Sequence, residues 1–189
     1  ALLARFEPGG VAFTPLLGSR VDTPKVVRFA LTSVQRGSEV IFARSRDVVP
    51  STDGNQVRYE HDANLVERYE VRRDGIEQSF VFTQRPPGDG DLVVRGELTT
   101  DLPLVAVDGD GARFELAGAG GVTFGAVTGI DANGARRRGC MRCDGRHLEL
   151  SLPASFVDAA AYPLVLDPLI GSSFLIANVA NSTDVLPSL

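Results

Sequence analysis

The feature that most constrains the fold is the run from Val66 to Thr83, VERYEVRRDGIEQSFVFT, in which apolar and polar residues alternate on both sides of Asp74-Gly75. An Asp-Gly pair between two alternating segments predicts a β-hairpin, because both central residues of a type I′ turn need positive φ angles. A two-residue turn at this point sets Tyr69 opposite Phe80. The run therefore predicts two antiparallel strands with one face in a core and the other in water.

The two faces of this predicted hairpin differ in chemistry. The inward face is expected to carry Tyr69, Val71, Ile76, Phe80 and Phe82, and the outward face Arg68, Glu70, Arg72, Glu77, Ser79 and Thr83. The same register sets Val71 opposite Gln78. It also sets Arg72 opposite Glu77. Gln78 then lies on the inward face, where it needs a hydrogen-bond partner if it is buried. Arg68, Glu70 and Arg72 form the candidate interaction face.

The rest of the chain repeats this pattern of short alternating runs. Its 20 glycines and 11 prolines stand between the runs, and turn signals recur about every 8 to 12 residues, which is typical of a β-sandwich or barrel. Only Pro153 to Ala161 is predicted to be helical. Leu164 to Asp167 is predicted to be a strand that Pro168 ends. The sequence thus predicts an all-β antiparallel sandwich over residues 1–170, with residues 171–189 as a linker or the start of a following repeat region.

Composition and motifs exclude several classes of function. The net charge is −5 and the charges are interspersed, which is unlike a surface for nucleic acid or an anionic membrane. No apolar run reaches about 18 residues, so no transmembrane helix is predicted. The chain has two histidines and no phosphate-binding glycine loop, G-x-S-x-G or H-E-x-x-H motif,. We therefore predict that the protein is not an enzyme and holds neither a cofactor nor a metal.

Cys140 and Cys143 form a C-x-x-C pair shortly before His147, a spacing that calls for a test of metal binding. A two-residue turn at Asp144-Gly145 sets Cys140 opposite Glu149 and Arg142 opposite His147. It leaves Cys140 and His147 on one face and Cys143 on the other. A metal site or a local disulfide would each need the strand to bulge. The disulfide, two free thiols and the metal site remain alternatives, and the disulfide would favour an oxidising compartment.

Two acidic turns and an arginine run also have two interpretations each. The turns at Asp108 to Gly111 and at Asp131 to Gly134 suggest calcium, but they lack the downstream glutamate of a calcium loop and match ordinary turn chemistry. The run from Arg136 to Arg138 could bind an acidic partner. It is equally consistent with a solvated edge strand, since edges are commonly protected by charge.

Several phrases together resemble a known type of domain. They are LVERYEVRRDGIEQSFVF, the turn at Asp131 to Gly134 and the closing LPASFVDAAAYPLVLDPLIG. In this order they resemble an N-terminal β domain of large secreted bacterial proteins, of the myxobacterial type, that precedes FG-GAP or β-propeller-like repeats. The resemblance covers roughly residues 3–170. The segment from Asp184 to Leu189 is similar to the beginning of such a repeat.

The resemblance implies export to the medium or the cell surface and an all-β fold, and it implies no catalytic residues. The expected function is a non-enzymatic extracellular module with a structural, adhesive or protein-interaction role. Its expected partners are other domains of the parent chain, or a surface protein or glycan. A carbohydrate-binding module and a cleavable pro-domain that assists export are the alternatives.

Overall fold

The structure, a computed structural model, describes residues 2–17, 21–72 and 75–173. Its regular elements are almost all strands, as the sequence predicts. In chain order they are β1 (Leu2–Glu7), β2 (Gly10–Pro15), β3 (Val27–Arg36), β4 (Glu39–Ala43), β5 (Ser51–Asp53), β6 (Gln56–Glu60), β7 (Leu65–Val71), β8 (Ile76–Phe82), β9 (Leu92–Thr100), β10 (Leu104–Asp108), β11 (Gly111–Leu116), β12 (Gly120–Ile130), β13 (Arg136–Arg138), β14 (Cys140–Cys143), β15 (His147–Leu152), α1 (Ala154–Ala159) and β16 (Leu164–Ser173).

The strands form two antiparallel sheets that pack face to face. Sheet A has the order β1-β2-β3-β9-β15-β14, with β4 also paired to β3. Sheet B has the order β10-β11-β12-β16-β8-β7-β6-β5, with β13 also paired to β12. The predicted all-β sandwich with one short helix is confirmed. In the described part of the chain, no helix has the length and apolarity needed to span a membrane.

The core lies between the inward faces of the two sheets. Aromatic rings make part of the contact across it: Phe13 of sheet A meets Phe124 of sheet B with ring centroids 6.3 Å apart, and Phe29 meets Phe80 at the same distance. Fully burying one such side chain stabilises the fold by roughly 1.5–3 kcal/mol. Tyr69, Phe80 and Phe82 are buried as predicted.

The register of the opening hairpin differs from the prediction by two residues. Tyr69 lies opposite Gln78, and Val71 lies opposite Ile76. The loop therefore contains four residues, 72–75, of which Arg73 and Asp74 are outside the described residues. Val71 comes last before the loop and is 44% exposed, so its predicted place in the core is wrong. Because a shift of two preserves the alternation, every other predicted inward residue keeps its face.

The second Asp-Gly hairpin has the same two-residue displacement. Cys140 lies opposite Ser151 and Arg142 opposite Glu149, where Glu149 and His147 were predicted. Asp144 explains the difference, because its Oδ1 accepts the backbone N–H groups of Arg146 and His147 at 2.8 and 2.7 Å. Such a side-chain acceptor stabilises a longer turn from its first position. Four residues, 144–147, consequently separate the last paired residues of β14 and β15, Cys143 and Leu148.

Pro168 does not end the last strand, contrary to the prediction. β16 continues through it to Ser173. The pairing of β12 with β16 shifts by one residue at this level, so that Gly125 and Ala126 oppose Leu169. A proline is tolerated inside a sheet at such a bulge. Residues 174–189, which contain most of the predicted linker and the repeat-like segment, lie outside the described residues.

A buried arginine anchors the helix at one end of the sandwich. Arg36 has 0% exposure, and its guanidinium donates to the carbonyl oxygen of Pro86 at 2.8 Å and to the carboxylate of Asp158 on α1. The hydrogen bond from Arg36 is the largest cause that lowers the pKa of Asp158, and the charges of Arg36 and Arg85 act in the same direction. At the start of α1, the Ala154 N–H donates to Asp91 Oδ1 at 2.8 Å. The helix is therefore held by residues of β3 and of the loop before β9.

Candidate interaction face

The outward face of sheet B carries an aliphatic row four strands wide. The register sets Val66 of β7 beside Val81 of β8, Val81 beside Val165 of β16, and Val165 beside Ile130 of β12. All four side chains are half-buried and lie on the side of the sheet that faces away from the core. We call these four residues the aliphatic row. Contiguous apolar side chains on an outer sheet face are typical of a surface that another chain covers.

A polar row lies next to the aliphatic row. It consists of Arg68, Ser79, Asp167 and Thr128, in the same order of strands. Arg68 Nε donates to Ser79 Oγ at 3.2 Å, and Ser79 is only 2% exposed although it points outward. The small serine therefore forms the floor of this face, with the longer arginine lying over it.

Asp167 is the residue of the polar row that has a buried oxygen without a hydrogen-bond donor in the described part of the chain. Its Oδ1 is buried and has no hydrogen-bond partner among the described residues. Burial, and secondarily the charge of Glu77 on β8, raise the pKa of Asp167 to about 6. Arg72, Arg68 and Arg136 oppose that shift more weakly. A carboxylate that lacks donors in such a place is destabilising unless a partner supplies a donor.

The sequence-predicted face of Arg68, Glu70 and Arg72 lies on β7 and just beyond it. Arg72 Nε donates to Glu70 Oε1 at 3.1 Å, and Arg72 also pairs with Glu77 of β8. The Arg72 hydrogen bond is the largest cause that lowers the pKa of Glu70. The charges predicted to bind a partner therefore mostly satisfy one another. The sequence did not predict the aliphatic row and Asp167, because they adjoin only through the order of the strands.

The outward face of sheet A is different, because Glu7 and Glu149 are ion-paired there. Arg28 Nη1 lies 2.6 Å from Glu7 Oε2. Glu149 binds two guanidiniums, Arg95 at 2.9 Å and Arg142 at 3.4 Å. Such exposed pairs contribute little stability, but they give Glu7 and Glu149 each a cation on this face. Sheet A therefore presents a solvated charged surface, and sheet B presents the candidate interaction face.

The two cysteines lie on opposite faces of β14. Cys140 is exposed on the outward side, and Cys143 packs against the core. Both are free thiols, and β14 pairs with β15 without a bulge between them. Burial is the largest cause that raises the pKa of Cys143. The disulfide stays a prediction for solution chemistry, and its formation would require β14 to rearrange.

The aspartates that open the two acidic turns, at Asp108 to Gly111 and Asp131 to Gly134, accept hydrogen bonds from the backbone. Asp131 Oδ1 accepts the N–H groups of Asn133 and Ala135 at 2.9 and 2.8 Å, and its Oδ2 accepts that of Ala161 at 3.1 Å. These bonds lower its pKa, that from Ala161 most. Asp108 Oδ1 likewise accepts the N–H of Asp110 at 2.8 Å. Within the described ranges, no group of three His, Cys, Asp or Glu side chains could hold a metal ion.

A buried polar cluster lies on the inward face of sheet B. Glu67 is 3% exposed, and its Oε1 accepts from Gln78 Nε2 at 3.0 Å and from the Tyr69 hydroxyl. Gln78 Nε2 also donates to the Tyr69 hydroxyl oxygen at 2.8 Å, so the amide nitrogen has the predicted partners, whereas Gln78 Oε1 has none among the described residues. Burial and the charge of Glu67 raise the pKa of Tyr69. His61 pairs with Glu67 Oε2 at 2.9 Å.

Glu67 and His61 are not among the residues predicted from the sequence to lie in the core. Alternation alone could have placed Glu67 inside, because it is two residues from Tyr69 on the same strand. The two carboxyl oxygens of Glu67 are satisfied, and its surroundings are closed to solvent. We therefore assign this cluster a structural role.

Comparison with known proteins gives no further guide to function. The chain matches no family model, and no curated protein or solved structure matches it.

Proposed function

We propose that the chain is a non-enzymatic β-sandwich module that binds another domain of its parent chain, or a surface protein, through the outward face of sheet B. The observation that carries the proposal is the aliphatic row beside Asp167. Four β-branched side chains adjoin a carboxylate whose Oδ1 has no donor among the described residues. The other sheet shows no equivalent combination on its outward face, within the residues described.

A partner on this face would gain in two ways. Apolar area that leaves water contributes about 25 cal/mol per Å². A side-chain N–H or a guanidinium above Asp167 would provide the donor that the fold lacks, and hydrogen bonds to a charged group contribute about 1.5–3 kcal/mol. The chemistry of the face thus favours a partner with an apolar surface and one basic or amide side chain.

The location of the module is part of the same proposal. Its support is the resemblance of the sequence to domains of secreted bacterial proteins, which implies a place at the cell surface or in the medium. The tyrosines do not favour a glycan platform, which needs exposed aromatic faces. Tyr59 and Tyr69 are buried, and the half-buried Tyr162 donates its hydroxyl to the Val157 carbonyl at 2.9 Å.

A matched pair of substitutions tests this proposal. Val81→Lys places a charge in the aliphatic row, whereas Val93→Lys changes a half-buried valine on the outward face of sheet A. Binding to the other domains of the parent protein is measured by calorimetry, and methyl NMR shifts locate the contact. We expect Val81→Lys to weaken binding at least about tenfold, since about 1.4 kcal/mol suffices for that change. We expect Val93→Lys to leave binding unchanged.

Two results would contradict the proposal. One is equal binding by both variants, with methyl shifts confined to sheet A. The other is hydrolysis of a substrate by the purified chain that a single polar substitution abolishes, since this would make the module an enzyme.

A further inference from the structure

The edge of β12 has a gap between the two strands that cover it. β11 pairs with the first half of β12, as far as Gly125, and β13 pairs with its last residues from Thr128 to Ile130. The two strands thus lie end to end along the same edge. Ala126 and Val127 lie between them, at the bulge. The topology therefore leaves a notch in the side of sheet B.

The notch opens into a cleft of about 710 Å³, within the size range of small-molecule sites. The turn after β10 forms one wall, and the segment from Arg136 to Met141 forms the other. Three consecutive arginines, Arg136 to Arg138, line the second wall, and all three are exposed. In a chain with a net charge of −5, this is a local concentration of positive charge.

The arginines of the cleft are only partly engaged by the protein. Arg138 donates to the Gly109 carbonyl oxygen and lies 3.6 Å from Asp110 Oδ1, which is 98% exposed. In the described part of the chain, the side chain of Arg136 makes neither a hydrogen bond nor an ion pair. Alternation places Arg136 and Arg138 on the same side of β13, about 7 Å apart along the strand. Guanidinium donors therefore converge on the cleft from two positions.

We propose that this cleft binds a small ligand that carries two or more oxyanion groups, carboxylate or phosphate. A guanidinium presents a planar set of donors that matches such groups in bidentate fashion. One group would meet Arg136, and another would displace the exposed Asp110 carboxylate from Arg138. Charge on an edge strand also prevents unwanted strand pairing, but that role requires neither the cleft nor saturable binding.

The test uses citrate and inorganic pyrophosphate as probes, at low salt, with binding measured by calorimetry. We expect saturable binding of at least one probe. Arg136→Gln should weaken that binding about tenfold, the effect of one charge-assisted hydrogen bond. Arg5→Gln is the matched control, because Arg5 is an exposed arginine on the outward face of sheet A; it should leave binding unchanged.

A variant that is expected to tighten binding provides a second test. Asp110→Asn removes the carboxylate that competes for Arg138, so it should tighten binding about threefold, roughly the effect of a surface ion pair. Cys140 lines the same cleft and provides a local readout, since bound ligand should slow its alkylation by iodoacetamide.

The proposal is overturned if neither probe binds saturably. It is also overturned if Arg136→Gln and Arg5→Gln weaken binding equally, or if ligand leaves the Cys140 alkylation rate unchanged. The substituted side chains are exposed, and thermal unfolding confirms that each variant folds.

Discussion

The two faces of sheet B differ in the hydrogen-bond partners that they provide for a carboxyl group. On the inward face, Glu67 is almost fully buried and has side-chain partners at both oxygens. On the outward face, Asp167 is only partly buried, yet its Oδ1 has no partner among the described residues. Burial alone would predict the reverse, since the more buried group has the greater need for donors.

We assign Glu67 to the stability of the fold and Asp167 to the binding of a partner. Tyr69 and Gln78, which are neighbours across β7 and β8, donate to Glu67 Oε1, and His61 pairs with its Oε2. Both oxygens of this carboxyl group are therefore satisfied within the fold, although Gln78 Oε1 and His61 Nδ1 have no partner among the described residues. The neighbours of Asp167 in its row are Ser79 and Thr128, and neither is shown donating to it. An incomplete site on a partly apolar face is where a partner adds most.

Removing the centre of the inner cluster should have the largest effect. Glu67→Ala leaves the donors of His61, Tyr69 and Gln78 without their acceptor and opens a cavity. We expect the free energy of unfolding to fall by about 3–5 kcal/mol, measured by urea denaturation. Glu70→Ala is the control on the outward side of the same strand, and it should cost less than about 1 kcal/mol. Similar losses for both variants would contradict the assigned role of the cluster.

A smaller effect is expected at the hydroxyl of Tyr69. Tyr69→Phe removes one donor to Glu67 and one acceptor for Gln78, while the direct bond between Gln78 and Glu67 remains. We expect a loss of about 1–2 kcal/mol. Tyr162→Phe removes a hydroxyl that is only partly buried, where water can replace it. It should lower the free energy of unfolding about half as much as Tyr69→Phe does. If the order of the two variants were reversed, Tyr69 would not belong to a closed network.

Much of this sandwich was predictable from the sequence, because side-chain alternation fixes which face a residue takes. Both Asp-Gly hairpins have a register two residues from the prediction, and Tyr69 and Phe80 are nevertheless inside. A register shift of two residues leaves each side chain on the same face of the sheet. Among the residues predicted on the inward face, only Val71, next to the loop, is exposed.

The candidate interaction face was less predictable, for a topological reason. Val66 and Val165 are almost one hundred positions apart in the sequence, and they share a row because β8 lies between β7 and β16. Strand order is not encoded in local periodicity. The outward charges Arg68, Glu70 and Arg72 could be recognised from alternation, but their pairing with one another and with Glu77 could not.

The smallest effect is expected at Asp167, and it depends on pH. Its pKa in the fold is about 6, above the ordinary value of 3.8, so the folded state binds this proton more tightly than the unfolded state. The contribution of protonated Asp167 to the free energy of unfolding is fully present below pH 3.8 and is lost as the pH rises through 6,. Asp167→Asn keeps the shape without the charge. We therefore expect the variant to be more stable than the parent protein by about 1 kcal/mol at neutral pH, a value reduced because the side chain is partly open to water.

This advantage should shrink towards zero as the pH is lowered through the range between those two pKa values, because the parent Asp167 then becomes neutral as well. Urea denaturation at a series of pH values measures it, and Asp53→Asn, at an exposed position of β5, is the control without such a dependence. If Asp167→Asn gave the same difference at every pH, the unmatched carboxylate would not be the cause. Binding of the proposed partner supplies the missing donor, so it should lower the pKa of Asp167 and remove the pH dependence. The outward face would then resemble the inward face, with its carboxylate satisfied by a donor from another chain.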